Sequence, residues 1–151
     1  MEKEFKKIKE TLLKHYKRIV NIYTYYMGIS SFPTISMNDF NSLAKHTGIL
    51  DGVIMDQASF DLIYVATCVS NHSYSSSAER DLQRYELFEI IVRIANHRYK
   101  ERGKVKTCSE GIEKTLKELI YPHTKTMDGE YFRKKFCYNV KVNEVLEKNE
   151  S

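Results

Sequence analysis

The sequence predicts an all-α domain of six or seven helices, and three observations carry that prediction. Apolar residues recur at three- and four-residue steps from Phe5 to Met27 and again from Leu82 to Tyr99. The stretch between Ser36 and Ala66 reads as two capped helices around a glycine-bearing turn. The six glycines are scattered where helices would end. With 42% hydrophobic content over 151 residues and two prolines, one compact domain spanning 1–151 is expected, large enough to bury most of its apolar surface.

The first element places Phe5, Ile8, Leu12, Tyr16, Ile19, Tyr23 and Tyr26 on one stripe, which defines a long amphipathic helix ended by Gly28. At about 1.5 Å per residue it reaches roughly 33 Å, enough to brace a small domain. Pro33 then pushes Phe32 toward an extended conformation and keeps the link Ile29–Ile35 out of a helix. Ser36 is placed to cap a second helix, with Asp39 three residues on in the reciprocal position of a capping box, and Met37, Phe40, Leu43 and Ala44 on its inner face. Gly48 supplies a left-handed stop, Val53, Ile54 and Met55 follow Gly52 as a short extended run, and Asp56 caps a third helix lined by Phe60, Ile63, Tyr64 and Thr67.

Residues Asn71 to Ser77, NHSYSSS, read as an exposed loop. A fourth helix runs from about Ala78 or Leu82 to Tyr99, carrying Tyr85, Phe88, Ile91, Val92 and Ala95. Beyond Gly103, Ser109 is placed to cap a helix with Ile112, Leu116, Leu119 and Ile120, which Pro122 stops. Two shorter helices complete the chain, one from about Gly129 to Tyr138 with Phe132 and Phe136 inward, the other from Val140 to about Lys148.

The segment SMNDFNSLAKHTGILDGVIMDQASFDLIYVA, from Ser36 to Ala66, resembles an EF-hand, the calmodulin-like helix-loop-helix. With the loop glycine on Gly52, Ile54 falls where the family keeps the aliphatic residue that pairs two loops. The metal chemistry is missing: loop positions one, three, five and twelve are Thr47, Ile49, Asp51 and Ala58, whereas calcium needs side-chain oxygens at the first three and a bidentate Glu at the last. A second hand would place Leu82 eighth and Glu86 twelfth, with Ser75, Ser77 and Arg80 at positions one, three and six, a second inactive loop. The resemblance therefore implies an EF-hand-like core over 28–100 without calcium, followed by C-terminal helices over 109–148. More loosely, RYELFEIIVRIANHRY following LIYVATCV resembles degenerate EF-hand proteins of protists and ciliated cells, modules that tend to occupy multi-subunit cytoskeletal or ciliary assemblies.

Catalytic signatures are absent. The five histidines never fall at HxxxH spacing, and there is no nucleophile elbow, phosphate loop or dinucleotide fingerprint. Cys68, Cys108 and Cys137 are odd in number and widely spaced, which suits reduced packing thiols rather than a metal or redox motif. No enzyme, no cofactor and no metal site is expected. The N-terminus lacks the apolar core of a signal peptide and no run of 18 apolar residues occurs, so an intracellular protein without a membrane partner is expected, cytoplasmic or cytoskeletal.

Binding is the favoured class. Eleven Tyr and seven Phe supply contact area at low rotamer cost, and an EF-hand-like pair implies a groove for a partner's amphipathic helix, with Phe60, Tyr64, Tyr85 and Phe88 as the partner-binding residues. The expected function is a calcium-independent scaffold or accessory subunit of a multi-protein complex. Charge offers an alternative. The net charge of +4 is unevenly spread, with seven Lys/Arg against three Glu in residues 1–20 and five basic residues against Glu101 from Arg98 to Lys106. Arg98, Lys100, Arg102, Lys104 and Lys106 could hold DNA or RNA phosphates, with Tyr99 stacking, in a nuclear accessory subunit. Solvated helix faces explain the same charges.

Overall fold

The computed structural model describes residues 2–69 and 81–149, and every regular element longer than a single bridge among them is helical. The loop expected at Asn71–Ser77 and the second-loop positions Ser75, Ser77 and Arg80 lie outside them. Helix α1 spans Glu2–Gly28, α2 Met37–His46 and α3 Gln57–Val69. Helix α4 spans Arg84–Ala95 and continues as a π-helical turn, Asn96–Lys100. Helix α5 starts at Cys108–Lys114, widens into a π segment at Thr115–Ile120 and closes with Tyr121–His123. Two short helices follow: α6, Gly129–Phe132 with a π turn at Arg133–Cys137, and α7, Val140–Lys148.

Local chemistry sets most of these boundaries. Ser36 Oγ accepts from the Asp39 amide, and the Asp39 carboxylate accepts from the hydroxyls of both Ser36 and Ser30. Asp56 caps α3 through the Ser59 amide at 2.7 Å, and Gly48 takes the left-handed conformation (φ 73°) that ends α2. Other expectations are corrected. Thr107, not Ser109, caps α5, its hydroxyl accepting from the Glu110 amide. Pro122 does not stop that helix, because the widened π turn before it leaves room for the ring, and the chain leaves helical conformation only at Thr124. Val53, Ile54 and Met55 do not extend; their three amides curl onto Asp51 Oδ1 at 3.0, 2.7 and 3.0 Å.

The long-range register also differs. Leu82 pairs with Ile35 in an antiparallel bridge (N···O 2.8 and 3.1 Å), joining the segment before α4 to the segment before α2 rather than to Ile54. Tyr23 seals this junction, its hydroxyl donating to the carbonyl of Leu82 at 2.9 Å. The core gathers Ile19 and Ile22 of α1, Phe40 of α2, Phe60 of α3, Ile90, Ile91 and Ile94 of α4, and Ile112 and Leu116 of α5. Where α1, α2, α4 and α5 meet, a cavity of only about 20 Å³, room for about one water molecule, remains. Helix α5 thus fills the space between the other helices.

Close approach of α5 to α4 depends on Gly111, where a Cβ would lie 3.1 Å from the Ala95 carbonyl oxygen. A polar string ties α5 to α1. His15 Nε2 lies 3.0 Å from Glu113 Oε1 and its Nδ1 2.7 Å from the Tyr121 hydroxyl, while Lys14 and Lys117 pair with Glu113 at 2.9 and 2.6 Å. The Lys117 ammonium, with Lys14 and His15 adding, holds the Glu113 carboxyl down to about 2.

Replacing Gly111 by Leu should lower the melting temperature by several degrees, roughly 2 kcal/mol, since a helical backbone carbonyl cannot move aside. Glu113 stabilises the fold fully above its unfolded value of 4.5 and loses that contribution as pH falls toward about 2. Thermal melts across that window should therefore fall less steeply for Glu113→Gln than for the unaltered chain.

Candidate functional site

The four aromatics expected to bind a partner divide between interior and surface. Phe60 and Tyr64 are 0% and 1% exposed, with Phe40 against both rings at centroid distances of 5.7 and 5.8 Å. Helix α3 packs onto α4, so its aromatic stripe faces inward and these two residues are core rather than binding residues. Tyr85 is 50% exposed, and Phe88 lies half-buried one turn on, stacked on Tyr16 of α1 (5.5 Å, 17°). The internal groove that an EF-hand-like pair would offer a partner is already occupied by α5, whose Leu116 and Ile120 face Ile19, Ile22 and Leu87 around the residual void.

The basic stretch is similarly divided. Arg98 is 5% exposed, the π turn directing it beneath the α2–α3 connection, where its guanidinium donates to the Ile49 carbonyl and to Asp51 Oδ2 (3.0 Å). Lys100 pairs with Glu4, and Arg102 donates to the Ile54 carbonyl at 2.6 Å. Lys104 and Lys106 are exposed. Three of the five cations are thus engaged with the chain itself.

The α2–α3 connection shows what has become of the sequence's candidate metal loop. Thr47 is buried and donates its hydroxyl to the Leu43 and Ala44 carbonyls, and Ile49 is buried. Asp51 spends one oxygen on three amides and the other on Arg98, which together hold its carboxyl well below the usual range against the opposing effect of burial. A guanidinium thus bridges a loop carbonyl and the loop's carboxylate, the kinds of oxygen that a cation would ligate. Among the described residues no three His, Cys, Asp or Glu side chains converge as a metal-ligand set.

What remains open is apolar. Phe5, Ile8, Leu12, Leu13 and Tyr16 of α1 line a cleft with Phe88 of α4, about 270 Å³ in volume. Phe5, Leu13 and Tyr16 are 70%, 61% and 50% exposed. A second cleft continues past Phe5 and Ile8 along Val92, Arg93 and Cys108. The same sequence stripe on α1 was legible, but its outward half was not, because periodicity does not say how wide the neighbouring helices are. At the other end of the chain, α6 and α7 contain no buried residue: Phe132 and Phe136, expected inward, are 42% and 52% exposed, since the two helices project from the body. No helix among the described residues is long and apolar enough to cross a membrane.

Comparison with protein-family models, with curated proteins and with solved structures gave no match.

Removing the Arg98 side chain leaves a half-buried carboxylate and a buried carbonyl without their cation. Arg98→Ala should therefore cost about 3 kcal/mol in denaturant unfolding, whereas Lys104→Ala, at an exposed position, should change stability by less than about 0.5 kcal/mol.

Proposed function

We propose that this chain is a non-enzymatic protein-interaction module, a calcium-independent scaffold or accessory subunit of a multi-protein complex, built on a degenerate EF-hand-like pair. In this reading the two hands are α1–α2 and α3–α4, with Ile35 and Leu82 at the eighth positions of their loops; the α2–α3 connection, taken from the sequence for a hand, joins them. The antiparallel bridge between Ile35 and Leu82 supports this register. Counting from those residues, the twelfth positions are Asp39 and Glu86. Asp39 is engaged by two serine hydroxyls and Glu86 by the Gln83 amide at 2.8 Å. Positions one, three and five of the first loop are Gly28, Ser30 and Phe32, which leaves no oxygen cage.

The observation that carries the interaction role is the open apolar cleft along α1 and Phe88 in a chain whose internal groove its own α5 has closed. Contiguous exposed aromatic and aliphatic surface of this kind is the usual signature of a protein contact. In this reading the surface is presented without a ligand-driven opening. The localisation that goes with this role is cytoplasmic or cytoskeletal. The nucleic-acid alternative draws no support from the geometry, because Arg98, Lys100 and Arg102 are held by the chain.

Calorimetric titration with calcium to about 1 mM, the weak end of loop affinities, should give no saturable heat. The tagged chain should retain a stoichiometric protein partner equally in calcium and in chelator. A saturable calcium site, or a partner released by chelation, would overturn the reading.

A further inference from the structure

We propose that the cleft between α1 and α4 takes an amphipathic helix of acidic character from the partner, a proposal that rests on the interaction-module reading and names its site and ligand. The floor is apolar: Phe5, Leu12 and Tyr16 form one ridge of α1, and Phe88 stacks on Tyr16 to form the opposite side. From Phe5 to Tyr16 the ridge runs roughly 16 Å, which matches about three turns of a docked helix. Surface of that shape accepts residues at i, i+3, i+4 and i+7 of a helix.

Charge selects the occupant. Lys9 and Leu13 line the cleft, and Lys6 and Lys17 continue their ridge along α1 at three- and four-residue steps, Lys17 turning toward Lys14 and Asn21. None of Lys6, Lys9 and Lys17 forms an ion pair among the described residues. On the α4 side the charges cancel, because Arg93 Nη2 lies 2.7 Å from Glu89. At the far end Glu4 is matched by Lys100. Glu2 and Glu10, the other carboxylates of α1, are exposed and enter no ion pair among the described residues. The apolar floor is thus bordered by the unpaired ammonium of Lys9, with Lys6 and Lys17 unpaired on the same ridge of α1. A helix with carboxylates beside its apolar face would neutralise them, and one with lysines there would be repelled.

The test uses the full chain and two labelled helical peptides of about fourteen residues. Both carry leucines at i, i+3, i+4 and i+7; glutamates flank that face in one and lysines in its twin. Fluorescence anisotropy should show saturable binding of the glutamate peptide, roughly tenfold or more tighter than the lysine twin, with the preference shrinking as salt is raised. Phe5→Asp with Leu13→Asp should abolish binding while leaving the melting temperature unchanged, both side chains being largely exposed. Lys6→Glu, Lys9→Glu and Lys17→Glu together should reverse the preference between the twins. Failure of the glutamate peptide to bind, equal binding of the twins, or binding that survives the double aspartate variant would each overturn the proposal. If the native partner is still captured by the Phe5→Asp, Leu13→Asp chain, the interaction role stands and this site falls.

Discussion

The guanidinium of Arg98 holds together parts of the chain that local structure alone would leave apart. It leaves α4 within a π turn, passes under the α2–α3 connection and ends between the carbonyl of Ile49 and the carboxylate of Asp51. Asp51 in turn gathers the amides of Val53, Ile54 and Met55, which fixes the turn delivering Asp56 to cap α3. One buried cation therefore sets where α3 begins and how it lies on α4. A buried charge is tolerable only when it is paired, and here a fixed carbonyl and a carboxylate engage both terminal nitrogens of the guanidinium, leaving its Nε without a partner.

Packing then decides what surface is left. Helix α5 approaches α4 where Gly111 offers no side chain, and its Leu116 and Ile120 close the space between the helices to a void too small to admit a partner. With the interior closed, the outward half of the α1 stripe stays uncovered, and Phe88 alone of α4 leans over to meet it. The helices α6 and α7 add a second uncovered apolar surface, with Phe132, Phe136, Val145 and Leu146 exposed.

Features fixed within one turn of helix were legible in the sequence. The Ser36 and Asp56 caps and the Gly48 stop depend on neighbours three or four residues away, and local patterns describe them well. Pairing across the fold was not legible. Leu82 meets Ile35, forty-seven residues distant, and no local signal prefers it to Ile54. The same limit explains the aromatics, since Phe60 and Tyr85 both sit on helical stripes and only the placement of α4 between α3 and α1 makes one core and the other surface. Arg98 was hidden by its company: a run of basic residues reads as solvated, although successive residues of a helix point about 100° apart and one of them can face the interior.

The π turns at Asn96–Lys100 and Thr115–Ile120 set the direction in which the ends of α4 and α5 face. Each accommodates one residue more than an α-helix of the same rise, turning everything after it by about a quarter of a revolution. A cousin lacking that extra residue at the end of α4 would carry its arginine on the outside. Its Asp51 carboxylate would keep the three backbone amides of the turn but lose the cation that ties that turn to α4.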